Sequence, residues 1–211
     1  MAVEETTGQG SPGEEDGVNI RVMPVSAAQE LKALCLREPA LTLAAAESMT
    51  GGRVQAAITA VPGASGYFLG GITAYTLEQK VKHLGVKRAV AAKVDCVSAE
   101  VAVQMARGAA GMFGADVAVA TTGYAEPAAG KGVEAPFAWW ALVHRTGARR
   151  WELRTGRVVC PGMTRTQAQQ AVADAVVAEL VAYLRVSLAA SRDDLAPDGS
   201  GKRKSNRPQT S

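Results

Sequence analysis

A chain of 211 residues, 47% of them hydrophobic, is long enough to fold as one domain with a complete core. A net charge of +3 is too small to indicate nucleic-acid binding by itself, and no apolar run approaches the ~20 residues needed to cross a bilayer, so no membrane association is expected. The three cysteines and two histidines are too scattered for a disulfide framework or a metal site, which favours a cytoplasmic protein without a metal.

Both ends of the chain differ in composition from its middle. Residues 1–22 are acidic and rich in Gly, Ser, Thr and Pro, which predicts a disordered tail. Residues 189–211 are polar and contain a short basic run from Lys202 to Arg207, and we predict a second disordered tail there. Such a run can serve as a nuclear address or contact nucleic acid, but it is common without either role, so nucleic acid is not the expected partner.

Between the tails, residues 23–188 alternate helical and extended patterns, which predicts one α/β domain. The elements are, in chain order, helix Ala27–Arg37, strand Leu41–Ala46, helix Arg53–Ala60, strand Tyr67–Thr76, helix Leu77–Leu84, connection Val86–Val97, helix Ala99–Phe113, strand Asp116–Gly123, strands Phe137–His144 and Arg150–Cys160, and a helix from Thr164 or Thr166 to about Ser187. The first strand is apolar at nearly every position, which favours a parallel sheet covered on both faces, and the last two strands should form an antiparallel hairpin. In the second strand, Gly70 and Gly71 mark a bulge or a close approach of another backbone.

Polar side chains cluster where three of the predicted strands end. They are, in chain order, Glu47, Ser48 and Thr50 with Gly51 and Gly52, then Tyr75, Thr76 and Lys80, and finally Thr121 and Thr122 with Gly123. Because ligands of open α/β sheets bind beyond the carboxyl ends of the strands, we expect these groups to share one site. The Gly- and Pro-rich loop over residues 124–136 starts at the same edge and is a candidate lid or binding loop.

The residue types at this edge of the sheet limit the catalytic mechanisms that the site could use. No histidine stands at these strand ends, which argues against a Ser-His-Asp hydrolase, and neither a Walker motif nor a GxGxxG motif follows any of the predicted strands. A serine activated by a lysine stays open, because burial or a neighbouring cation can lower the pKa of Lys80 until its amine acts as a base. Structural alternatives also stay open: Ser48 can cap a helix, Lys80 can lie in solvent and Tyr75 can pack at a strand end.

Several blocks of the sequence occur in the order and spacing of one known family. They are Ala46-Glu-Ser-Met-Thr-Gly-Gly52, Pro62-Gly-Ala-Ser-Gly66 with Tyr67-Phe68, Gly71-Ile-Thr-Ala-Tyr75 with Lys80, Gly85-Val86, Val97-Ser-Ala-Glu100 and Thr122-Gly123. Through these blocks residues 26–187 resemble the CinA C-terminal domain family of nicotinamide-nucleotide amidases. The resemblance implies a three-layer α/β/α sandwich with a mixed, mostly parallel sheet. It also implies hydrolysis of nicotinamide mononucleotide to nicotinate mononucleotide and ammonia, with this small nucleotide as substrate, no cofactor, no metal and a homo-oligomeric assembly.

The resemblance further implies roles for the matching residues. Ser48 corresponds to the family's proposed nucleophile, Lys80 to a lysine that assists it, and Tyr75 to a tyrosine at the site. The substrate-binding residues implied by the matching blocks are Glu47, Thr50, Gly51, Gly52, Thr122 and Gly123. Backbone N–H groups near Gly51 and Gly52 would hold either the oxyanion or the substrate phosphate.

Several blocks depart from the family pattern, and two of them concern the residues expected around the substrate. Glu126 stands where the family has a glycine in the third loop, and Gly162-Met163-Thr164 replaces a Gly-Asp-Arg block. Arg165 follows directly and is a candidate substitute for the lost cation, so we count it among the substrate-binding residues. The departures leave a second hypothesis open, in which the protein is a catalytically silent binding or regulatory module.

Overall fold

The computed structural model describes residues 25–193, with side chains over residues 27–189. Within this range the chain forms six α-helices and five strands. In chain order they are α1 (Val25–Cys35), β1 (Leu43–Glu47), α2 (Arg53–Ile58), β2 (Phe68–Thr73), α3 (Leu77–Leu84), α4 (Arg88–Lys93), α5 (Ala99–Phe113), β3 (Val117–Tyr124), β4 (Phe137–Arg145), β5 (Trp151–Val159) and α6 (Arg165–Asp193). The predicted tail over residues 1–22 and residues 194–211 of the second predicted tail lie outside the described residues.

The strands form one five-stranded sheet in the order β2-β1-β3-β4-β5. β1 pairs in parallel with β2 and with β3, whereas the pairs β3–β4 and β4–β5 are antiparallel. The predicted mixed sheet with an antiparallel hairpin is therefore confirmed. Because β1, β2 and β3 run in the same direction, their carboxyl ends meet at one edge of the sheet.

Helices cover both faces of the sheet, which confirms the three-layer α/β/α sandwich. Successive residues of a strand point to opposite faces, and β1 shows the consequence directly. Leu43 and Ala45 lie in the core that contains α1, α2 and α6, whereas Ala44 and Ala46 lie in the core beneath α3, α4 and α5. No helix within residues 25–193 has the combination of length and apolar composition that crossing a membrane requires.

The glycine pair of β2 lies at an irregularity in the sheet, as its sequence predicts. The register between β1 and β2 shifts between Leu43 and Ala44, which pair with Phe68 and Gly70. Gly70 has a φ of +146°, and a Cβ atom on it would lie 2.7 Å from the ring of Phe113. The missing side chain therefore lets α5 pack against this end of the sheet.

Two predictions about the elements are wrong. The connection predicted over Val86–Val97 contains α4, whose Ala91 is fully buried; this helix is too short to produce a recognisable hydrophobic period. Helix α6 ends at Asp193 rather than near Ser187, so the first residues of the predicted C-terminal tail are helical.

Candidate active site

The hydroxyl of Ser48 and the amine of Lys80 lie within hydrogen-bond distance of each other. Ser48 follows the last residue of β1, and Lys80 belongs to α3. The Nζ atom of Lys80 lies 2.9 Å from Oγ of Ser48 and 3.2 Å from the backbone carbonyl oxygen of Tyr75. The hydroxyl of Thr76 caps α3 by accepting a hydrogen bond from the N–H of Gln79, so the helix starts almost directly after β2. This short connection brings Lys80 to the end of β1.

Lys80 is almost completely removed from solvent, with 2% of its surface exposed. Burial disfavours the ammonium form and lowers the pKa of Lys80, and the nearby Cys96 and Asp95 oppose this shift without cancelling it. A lowered pKa increases the fraction of lysine that is a neutral amine with a free electron pair. The pair can therefore act as a nucleophile and its general base.

A cavity of about 290 Å³ lies at this pair, where the three strand ends meet. Its lining includes Ser48, Tyr75, Lys80, Asp95, Thr122 and Tyr124. Of the groups that the sequence predicts to share one site, the structure brings to this cavity Ser48, Tyr75, Thr76, Lys80, Thr122 and Gly123. Its volume is close to the lower end of the range for small-molecule sites, about 300–1,000 Å³.

Tyr75 lies at the rim of the cavity, with 55% of its surface exposed. Its phenol oxygen accepts a hydrogen bond from Nη1 of Arg165 at 3.4 Å, whereas its backbone carbonyl faces the amine of Lys80. Among the described contacts, the phenol reaches neither Ser48 nor Lys80. The side chain is placed to contact a bound molecule and not to carry the proton of Ser48.

Glu47 is fully buried, and its carboxylate is occupied by the protein itself. Its Oε2 atom accepts hydrogen bonds from the hydroxyl of Thr50 at 2.6 Å and from the N–H groups of Gly52 and Val54 at 2.9 and 3.2 Å. Its Oε1 atom accepts from the backbone N–H and the side-chain amide of Gln55 at 2.9 and 3.0 Å. The carboxylate thereby caps α2 and shapes the turn after β1, in place of the predicted contact with substrate.

The turn that follows Ser48 has no free amide at the predicted position. The N–H of Gly51 donates to the carbonyl oxygen of Ser48 at 3.2 Å, and the N–H of Gly52 is bound by Glu47. The N–H groups of these two glycines are therefore not available to an oxyanion or a phosphate. By contrast, within residues 25–193 the N–H of Met49, directly after Ser48, donates to no acceptor.

Three other predicted residues support the cavity through their own contacts. Thr50 is buried, with its Oγ1 atom 2.7 Å from Oγ1 of Thr121, so it has no surface for a ligand. Thr122 donates its hydroxyl to the carbonyl oxygen of Cys96 at 2.7 Å. A Cβ atom on Gly123 would lie 2.1 Å from the carbonyl oxygen of Phe137, so only glycine fits between β3 and β4 at this point. Thr122 and Gly123 still form part of the cavity wall.

Asp95 and Cys96 form part of the same wall, although no sequence pattern singled them out. Both adopt left-handed backbone conformations, with φ values of 50° and 62°, which are uncommon for residues other than glycine. Asp95 accepts a hydrogen bond from the phenol of Tyr124 at 2.8 Å and pairs with Lys131. These contacts fasten the loop after β3 to the turn before α5. Their origin is tertiary, because the turn is held by groups from distant parts of the chain.

Two other ionisable groups of the cavity, Cys96 and Tyr124, do not compete with Lys80 as a base. Burial raises the pKa of the Cys96 thiol, and burial together with Asp95 raises the pKa of Tyr124 to about 12. Both groups are therefore protonated near neutral pH and are poor nucleophiles or bases. Within residues 25–193, no three His, Cys, Asp or Glu residues are arranged to hold a metal ion.

Arg165, at the start of α6, reaches the rim but is already paired. Its Nη2 atom lies 2.5 Å from Oε1 of Glu126, and its Nη1 atom contacts Tyr75. The pair raises the pKa of Arg165 and neutralises its charge locally. Glu126, the residue that departs from the family pattern, thus binds the cation that was expected to replace the lost family arginine.

Comparison with known proteins gives consistent matches. The model of the CinA C-terminal domain family matches residues 26–184. A CinA-like protein of Chlorobium limicola is 39% identical over 152 residues, which are 71% of this chain and 35% of that protein. The crystal structure of a competence/damage inducible protein from Agrobacterium tumefaciens superposes with a TM-score of 0.67 at 27% identity, over 78% of this chain and 98% of that one. A CinA superfamily protein of Escherichia coli gives a TM-score of 0.65 at 28% identity, over 74% and 88% of the two chains.

The matched region spans the whole three-layer domain. The curated relatives are longer than this chain, since the match covers only 35% of the Chlorobium protein. A CinA-like protein of Citrifermentans bemidjiense is 51% identical over 98 residues, which are 46% of this chain and 24% of that protein. The solved structures, in contrast, are matched over nearly their full length. The fold, the blocks around Ser48 and Lys80 and the family match agree, and the chain belongs to the CinA C-terminal domain family.

Proposed function

We propose that this protein is an amidohydrolase that converts nicotinamide mononucleotide to nicotinate mononucleotide and ammonia. The observation that carries the proposal is the contact of 2.9 Å between the buried amine of Lys80 and the hydroxyl of Ser48. Buried lysines are costly, and one aimed at a serine in a cavity is typical of a catalytic pair rather than of a structural contact. The family resemblance supports the choice of a pyridine nucleotide as substrate.

In the first half of the reaction, the oxygen of Ser48 attacks the carboxamide carbon of the substrate. The neutral amine of Lys80 takes the serine proton as the C–O bond forms, and the resulting ammonium donates it to the departing nitrogen as the C–N bond breaks. The products of this step are ammonia and an ester between Ser48 and the pyridine carboxyl group. Lys80 is then neutral again.

In the second half, water attacks the ester carbon. Lys80 takes a proton from the water and returns it to the oxygen of Ser48 as the ester C–O bond breaks. The carboxylic acid gives its proton to the solvent and leaves as a carboxylate, and the serine is restored. One lysine thus serves both steps, in agreement with the absence of a histidine from the described lining of the cavity.

The N–H group of Met49 is the donor best suited to the oxyanion. It directly follows the nucleophile and has no acceptor within residues 25–193. In hydrolases with a serine after a strand, the residue after the nucleophile often supplies this donor. One such donor typically lowers the activation barrier by ~3–4 kcal/mol.

Ammonia release from nicotinamide mononucleotide tests the proposal. Wild type should release ammonia in proportion to nicotinate mononucleotide, and Ser48→Ala and Lys80→Met should each lose at least about a hundredfold in kcat. Ser187→Ala, a serine change on α6 outside the cavity, is the matched control and should keep full activity. Equal rates in wild type and Ser48→Ala would reject the proposal for this substrate.

A second function is favoured by one specific observation. The ion pair between Glu126 and Arg165 occupies the cation that was expected to contact the substrate, so the surroundings of the site differ from the family pattern. In that case the protein is a binding or regulatory module. Saturable binding of nicotinamide mononucleotide by calorimetry, with no ammonia release, would favour this function over the amidase.

A further inference from the structure

The arginine that is free to bind an anion near the nucleophile is not the one that the sequence predicts. Arg165, the expected cation of the rim, is paired with Glu126. Arg53, directly after the Gly51-Gly52 turn, is half-buried, and no carboxylate of the described residues lies within ion-pair distance of it. Its only described hydrogen bond runs from Nη1 to the carbonyl oxygen of Thr50 at 3.3 Å. Most of the donors of this guanidinium therefore remain available to a ligand.

A second polar group meets Arg53 at the same point. Gln169 of α6 is 9% exposed and makes no hydrogen bond among the described residues. Its amide atoms are not sealed from solvent, so its stem is buried while its polar end reaches the surface. A Cβ atom on Gly51 would lie 3.7 Å from Nη1 of Arg53 and 3.8 Å from Nε2 of Gln169. The exposed backbone of Gly51 thus forms the floor of a niche with a guanidinium and an amide as its walls.

This niche lies one turn of chain away from the nucleophile. The N–H of Gly51 donates to the carbonyl oxygen of Ser48, which closes a tight turn between the two residues. On α6, Gln169 is four residues after Arg165 and therefore on the same side of the helix, and Arg165 reaches Tyr75 at the rim. The niche and the cavity are consequently neighbours at the same edge of the sheet.

We propose that Arg53 and Gln169 form the subsite for an anionic group of the substrate, a phosphate monoester carried at the end opposite to the amide. This inference rests on the proposed function, because it takes the amide to lie at Ser48. A guanidinium and an amide supply several N–H donors that match phosphate oxygens, and the guanidinium adds charge. The first N–H groups of α2 play no part, because Glu47 and the carbonyl oxygen of Thr50 accept hydrogen bonds from them.

Substrate pairs that differ only in phosphate test the subsite. In wild type, Arg53→Gln and Arg107→Gln, kcat and KM are measured for nicotinamide mononucleotide and for nicotinamide riboside, which lacks the phosphate. Arg53→Gln should raise KM for the mononucleotide about tenfold or more and change KM for the riboside less than twofold. Arg107→Gln, an exposed arginine of α5, should match wild type with both substrates.

Two further variants separate recognition from a structural effect. Arg53→Lys keeps a cation and should recover part of the mononucleotide affinity, whereas Gln169→Glu places an anion in the niche and should weaken mononucleotide binding more than riboside binding. Equal losses for both substrates in Arg53→Gln would overturn the subsite and point to a structural role for its bond to Thr50. A loss selective for the mononucleotide in Arg165→Gln, with Arg53→Gln like wild type, would also overturn it.

Failure of the subsite and failure of the amidase are distinguishable. If wild type releases no ammonia from either compound, the proposed function fails, and calorimetry with the same two compounds still tests the niche. Tighter binding of the mononucleotide than of the riboside, with the difference lost in Arg53→Gln, supports the subsite. Equal binding of both compounds by wild type overturns it.

Discussion

Glu47 accepts two hydrogen bonds from Gln55, one from its backbone N–H at 2.9 Å and one from its side-chain amide at 3.0 Å. The same carboxylate receives the hydroxyl of Thr50 and two further backbone N–H groups. All the hydrogen-bond partners of the Glu47 carboxylate are therefore donors, and they stabilise this buried group without a neighbouring cation. This arrangement fixes the start of α2 and with it the turn that carries Ser48.

Replacement of Glu47 by glutamine should test this role. An amide nitrogen would face N–H donors where an oxygen now accepts, so the free energy of unfolding should fall by about 2–3 kcal/mol. Urea denaturation followed by circular dichroism measures the loss. Glu134→Gln, at an exposed position, is the control and should change stability by less than ~0.5 kcal/mol. A similar stability of both variants would show that the carboxylate does not hold the turn.

The pH dependence of the amidase should report Lys80. The base is the neutral amine, and burial lowers its pKa, so kcat/KM should rise with pH and level off below the ordinary lysine pKa of about 10.4. Lys80→Met should lose this ascending limb along with the activity. It should also unfold at higher urea concentration than wild type near pH 7, because the unfolded chain binds the lysine proton more tightly than the folded one. A Lys80→Met variant that is less stable than wild type would contradict the conclusion that burial of the Lys80 ammonium group destabilises the fold.

Acid should destabilise the fold in part through His144. This residue is buried, with Nδ1 2.8 Å from the phenol oxygen of Tyr183, and burial lowers its pKa although Glu152 and Asp116 act in the opposite direction. Below about pH 6.5, the His144 side chain therefore binds a proton in the unfolded chain but stays neutral in the folded state. The free energy of unfolding should fall as pH drops below that value, by at most about 1.4 kcal/mol per pH unit, until the folded histidine also titrates. Urea midpoints between pH 5 and 7.5 should vary less in His144→Gln than in wild type.

Gly123 should tolerate no side chain. Its added Cβ atom would meet the Phe137 carbonyl oxygen at 2.1 Å, and both atoms belong to paired strands that cannot separate locally. Gly123→Ala should therefore lower the free energy of unfolding by about 2–3 kcal/mol or more. Gly130→Ala, where the added atom meets nothing within 4 Å, is the matched control and should remain close to wild type. Equal urea midpoints for the two variants would contradict the close approach of β3 and β4.

Local sequence patterns were sufficient for most of the architecture. The uninterrupted apolar run at β1, the glycine pair of β2 and the hairpin of β4 and β5 each follow from a short-range rule of strand burial or turn chemistry. The short helix α4 escaped prediction because six residues produce too little periodicity. The end of α6 was misplaced for a related reason, since a change to polar composition does not by itself stop a helix.

The sequence by itself determined the fold class, the family blocks and which hydroxyl and amine are candidates for chemistry, because these depend on residue type and spacing along the chain. Only the tertiary structure decided what each candidate touches. In the folded structure Glu47 caps α2, Arg165 pairs with Glu126, Asp95 lines the cavity of the nucleophile and Arg53 lies beside Gly51. These pairings join distant segments through short-range forces, and the energies of burial, hydrogen bonding and charge that select them exist only once the segments are packed together.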